Sequence, residues 1–144
     1  MLRFDRFRFA AFGLVSVFNV LALLLHGLNI STAGGRGLFS GSSVTVPVIL
    51  VLAVLCLLPA GVAALRRGRD LGWPAIQTLA FCIVAMSLGP AALLLALYMT
   101  AARSKPAAEK FGEAPGPVGL ATVVFAVANA VWPWMALLVI GRVG

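Results

Sequence analysis

The residues able to do chemistry are few and scattered. His26 is the sole histidine, so the count excludes a haem held between two histidines of one chain. It can still serve as a shared contact to a haem or quinone at a subunit boundary, or as a polar group near a membrane surface. Cys56 and Cys82 each lie inside an apolar run without a second ligand residue nearby. They read as small buried hydrophobes rather than metal ligands. Glu109 and Glu113 stand one helical turn apart but within a proline-rich stretch, and the chain carries no zinc-protease HExxH, no GxSxG and no P-loop pattern. No catalytic residue, cofactor or metal is expected.

The densest constellation is Arg66-Arg67-Gly68-Arg69-Asp70, followed by Gly72-Trp73. Guanidinium forks in such a cluster suit anionic lipid headgroups or an acidic partner loop. Asp70 is expected to pair with Arg69, or with Arg6 or Arg8 from the amino-terminal segment. The contact set for headgroup or partner is therefore Arg6, Arg8, Arg66, Arg67, Arg69, Asp70 and Trp73. Asn19, Gln77 and Asn129 lie within or beside apolar runs and are expected to hydrogen-bond between helices.

The elements that position these groups follow from composition. Of 144 residues, 62% are hydrophobic and only 10% charged. A soluble chain of this length cannot hide so much apolar surface, whereas a bilayer can. The net charge of +7 comes from arginines clustered between apolar runs rather than spread over one face. That pattern marks the cytoplasmic side of a membrane protein and argues against nucleic-acid binding.

Four apolar runs stand out, at about 10–28, 45–65, 74–102 and 118–140. The chain is thus expected to be all-α, a single bundle of four transmembrane helices. Arg3, Arg6 and Arg8 alternate with Phe4, Phe7 and Phe9 ahead of the first run. Ser31-Thr32-Ala33 offers small residues for signal cleavage, but the run is read as a retained anchor. Residues 30–44 and 103–117 read as loops, rich in Gly, Ser and Thr or in proline and mixed charge. The third run is too long for a perpendicular crossing and is interrupted by Ser87-Leu88-Gly89-Pro90. It reads as one tilted, kinked helix in preference to a re-entrant hairpin, whose turn would need protein cover.

Four crossings place both termini on the cytoplasmic side, with seven basic residues there against four outside. The hairpin alternative sends the carboxyl terminus outward and gives nine against two. Charge therefore favours the hairpin, while span length favours four crossings, and the expectation follows length. None of the runs carries Asp, Glu, Lys or Arg deep inside, which counts against a proton-coupled pump or a channel with charged rings.

Residues 52–117 carry a pattern that resembles domain-of-unknown-function family 805, the YhaH-like small bacterial inner-membrane proteins. Arg66, Arg67 and Asp70 match its first motif, Gly72 and Trp73 its second, and Lys110, Phe111, Gly112 and Pro115 its third. Phe4 to Phe12 resembles the family's start, with Arg6 and Arg8 at the basic positions. The family's histidine is Arg69 here, its second tryptophan is Pro74, and its asparagine is Glu109. The run at 118–140 lies beyond the usual family end. The resemblance implies a multi-pass protein of the bacterial inner membrane, with no established reaction. The function expected is a non-catalytic accessory or scaffold subunit of an inner-membrane complex, partnered by lipids and other membrane subunits. The alternative is a small transporter or lipid-handling protein.

Overall fold

The computed structural model describes residues 5–32, 45–103 and 116–143, and every regular element among them is helical. Arg3, Phe4, Arg36, Lys105 and the family-like residues Glu109, Lys110, Phe111, Gly112 and Pro115 lie outside the described residues. So does Glu113, and so does the side chain of Arg142.

Helix α1 begins at Arg6–Phe9 under a cap from Asp5, whose carboxylate accepts the Arg8 N–H at 2.7 Å. It widens into a π-helical turn at Ala10–Leu14 and continues as an α-helix over Val15–Thr32. Helix α2 spans Thr45–Asp70, α3 Ala75–Ser87, α4 Pro90–Ala101 and α5 Leu120–Val143. Among the described residues, three helices are long and apolar enough to cross a membrane: α1, α2 and α5. Their outward faces carry large apolar side chains such as Leu25, Leu58, Phe125 and Val139, the surface that hydrocarbon solvates.

The expectation of one kinked crossing over 74–102 is overturned. A continuous helix would separate Trp73 from Tyr98 by about 37 Å. Instead their rings stack at 6.0 Å, nearly coplanar. Helices α3 and α4 therefore form a hairpin that returns to the end where it began. The reversal sits at Leu88-Gly89: Gly89 has a φ of 63°, a region that penalises side-chain-bearing residues, and Pro90 opens α4 with φ already helical. Arms of 13 and 12 residues reach about 20 and 18 Å, short of a hydrocarbon core of about 30 Å. Gly89, Pro90 and Leu93 border a recess shared with Leu21 and Leu25 of α1.

Helix α5 starts beside the start of α1, where Arg8 donates to the carbonyls of Gly116 at 2.8 Å and Pro117 at 2.9 Å. It runs parallel to α1, so that Phe12 meets Phe125 and His26 meets Trp134. The start of α1 and the end of α5 consequently lie at opposite ends of the bundle. Two core clusters hold the helices. One unites Phe9, Ala63, Ala64, Leu71, Ala96 and Met99 near the hairpin mouth. The other unites Val20, Leu23, Ile49, Leu52, Cys56 and Leu137 toward the far end.

Candidate functional site

The arginine–aspartate cluster at the end of α2 resolves into a buried structural centre at the mouth of the hairpin. Arg67 is only 1% exposed and is among the largest fully buried side chains. An arginine survives there only if every donor direction is met. Its Nε donates to the Met99 carbonyl at 2.7 Å, one terminal nitrogen donates to Asp70, and the other to the Ala102 carbonyl at 2.5 Å. Met99 and Ala102 lie at the carboxyl end of α4, where carbonyls lack intrahelical partners and the helix dipole is negative. The planar guanidinium thus ties α2 to the returning arm, and Asp70 balances its charge. The sequence pointed Asp70 toward Arg69, Arg6 or Arg8; the fold also brings to it Arg67, three residues earlier on the same helix.

The local backbone explains the residues that follow. Helix α2 ends in a Schellman motif: Trp73 N–H bonds the Gly68 carbonyl at 2.8 Å and Gly72 N–H bonds Arg69 at 3.0 Å. Gly72 supplies the required positive φ of 76°. This turn aims Trp73 back at the hairpin, where it stacks on Tyr98 and meets Phe81 edge-on at 5.2 Å. Trp73 therefore closes the two arms together. Gly68 and Thr78 are contacts that sequence reasoning missed. A β-carbon at Gly68 would lie 2.8 Å from Thr78 Cγ2, so α2 and α3 approach through a gap only glycine leaves.

The other basic residues divide. Arg8 is committed to Asp5 at 3.3 Å and to the two carbonyls at the start of α5. Arg6 is exposed with its guanidinium 5.2 Å from the Phe7 ring. Arg66 and Arg69 are half-buried on the same last turns of α2. Arg103 is exposed just beyond α4. Among the described residues there is no group of three His, Cys, Asp or Glu that could hold a metal ion.

Of the three amides singled out from sequence, two meet and one stands apart. Asn19 donates to the Asn129 carbonyl at 2.9 Å and accepts from Trp134 Nε1 at 3.1 Å. Asn129 donates to Ser16 Oγ at 2.9 Å and toward the carbonyls of Ala11 at 3.2 Å and Phe12 at 3.4 Å. These last belong to the π-helical turn, whose widened ladder leaves carbonyls facing α5. Gln77 is exposed, one turn into α3 and away from this cluster. His26 packs edge-on against Trp134 at 6.5 Å. Asn129→Ala should lower stability in detergent by about 1 kcal/mol, the scale of interhelical polar contacts in membrane proteins. Thermal denaturation compared with Gln77→Ala checks this, since the exposed amide should be nearly silent; equal losses would contradict it.

The chain matches the family described as Protein of unknown function (DUF805) over residues 2–113. That range contains α1, α2 and the hairpin, together with Arg67 and Asp70; α5 begins after it, at Leu120. No curated protein and no solved structure matches the chain. The chain belongs to this family, and it is a helical, membrane-spanning bacterial protein.

Proposed function

We propose that this DUF805-family chain is a non-catalytic accessory or scaffold subunit of a bacterial inner-membrane assembly. The observation that carries the reading is the use made of its buried polar groups. Arg67, Asp70, Asn19 and Asn129 are spent on one another and on helix carbonyls. Such contacts hold helices in fixed positions, as a docking frame requires. The bundle's interior recess is lined by apolar side chains, and a cationic depression lies at the hairpin mouth. A polar solute would find no path between them among the described residues. Gentle solubilisation followed by sizing and affinity capture tests the proposal. Migration with a defined partner at fixed stoichiometry is expected, and a lone stable monomer in the native membrane extract defeats it.

The same reading assigns sides. With α1, α2 and α5 crossing and the hairpin entering from the cytoplasm, the amino terminus, the mouth and residues 103–117 share that face. Nine basic residues then lie inside and two outside. Helix α5 is read as an addition to the YhaH-like body, fastened by Asn129 and Trp134. A reporter fused after Gly144 should be active only outside the cytoplasm, and one fused before Met1 only inside. Finding both reporters on one side would overturn the three-crossing assignment.

A further inference from the structure

Two recesses lie one above the other beside the hairpin. The inner one is an apolar cleft of about 110 Å³ between α1, α2 and the two arms. Its walls are small residues, among them Ala64, Ala85 and Ala96, and its outer rim is the exposed pair Leu57 and Gly61. Engineered apolar cavities of about 150 Å³ stay dry and admit benzene, so the space suits hydrocarbon and not water. Phe9 and Met99 form its end toward the hairpin mouth.

One helical turn further along the same two helices is an open depression lined by Asp5, Arg6, Phe7, Arg67, Ala102 and Arg103. Asp5 is engaged by Arg8, and Arg67 by Asp70. Four guanidinium groups thus face two carboxylates, leaving an excess of two positive charges on exposed Arg6 and Arg103. An apolar slot open to hydrocarbon, one helical turn from a cationic cup at the bundle end, has the polarity of a membrane lipid with a negative head. We propose that cleft and depression form one site for an anionic phospholipid of the surrounding membrane, with its phosphate at Arg6 and Arg103 and part of an acyl chain in the cleft. The proposal stands whether or not other subunits bind.

Native mass spectrometry of the full chain released from mild detergent tests it, using phosphatidylglycerol, phosphatidylcholine and glycerol 1-phosphate as probes. One equivalent of phosphatidylglycerol should be retained. Two basic residues near a membrane surface give a preference of roughly thirtyfold over phosphatidylcholine, and the variant Arg6→Gln/Arg103→Gln should erase that preference. Gly61→Leu fills the rim at a place where a β-carbon meets nothing within 4 Å. It should lower retention of phosphatidylglycerol without lowering the thermal midpoint. Equal retention of both lipids overturns the proposal. So does binding of glycerol 1-phosphate as tight as that of the lipid, which would mark a site for free phosphate esters. Unchanged retention in Gly61→Leu overturns it too.

Discussion

Arg67→Met should destabilise the purified protein by about 3–5 kcal/mol, the cost of stranding a buried charge. The substitution keeps much of the side-chain volume but abandons Asp70, which is itself 1% exposed. It also abandons the carbonyls of Met99 and Ala102. Nothing apolar can serve those acceptors, and water reaches them only if α4 moves away from α2. The consequence should therefore be local as well as global. Cys82 on α3 is half-buried beside the returning arm, whereas Cys56 is fully buried between α1 and α2. Maleimide should label Cys82 faster in Arg67→Met while Cys56 stays protected. The double variant Arg67→Met/Asp70→Leu should regain part of the loss, because no carboxylate is then stranded. Arg67→Lys should fall between, since one ammonium cannot reach three acceptors set around a planar fork. Wild-type labelling and wild-type unfolding in Arg67→Met would show that the hairpin does not depend on this centre.

The second large effect is steric. Gly68→Val should cost about 1–3 kcal/mol by overpacking. The new side chain would drive into Thr78, whose Cβ already stands 3.1 Å from the place a β-carbon would occupy. Helix α3 has little room to retreat, because Trp73 fastens its base to Tyr98 and Phe81. Thr78→Gly in the same chain should restore much of the loss by vacating that space, and a double-mutant cycle in thermal unfolding reads the coupling. Gly61→Val is the control, since nothing lies within 4 Å of its β-carbon position. Equal losses at Gly61 and Gly68 would mean that helix propensity, not close approach, sets the value of glycine in α2.

Where the residues themselves carried the signal, the fold was legible. Long apolar runs without internal charge specify lipid-facing helices, since backbone in hydrocarbon must satisfy itself within one segment. Gly72 marks a helix stop by conformational preference alone; Pro90, read as a kink, opens a separate helix. The arginine–aspartate cluster was visible as a site, but the burial of its central arginine was not. It was read as a surface for headgroups or an acidic partner loop, and within it Arg67 is buried against α4. No spacing rule links Arg67 to Met99 and Ala102, which lie 32 and 35 positions away. The contacts Gly68–Thr78 and Asn129 with the π-helical turn escape sequence reasoning for the same reason.

Sequence by itself determined that this protein is helical and that it belongs in a bilayer, because those properties come from solvation and local backbone preference. Whether 74–102 passes through or turns back was left to the tertiary structure. Length pointed to crossing and charge to return, and neither is a contact. The deciding interactions join residues far apart in the chain: Trp73 on Tyr98, and a buried guanidinium on the carbonyls at the end of the returning arm.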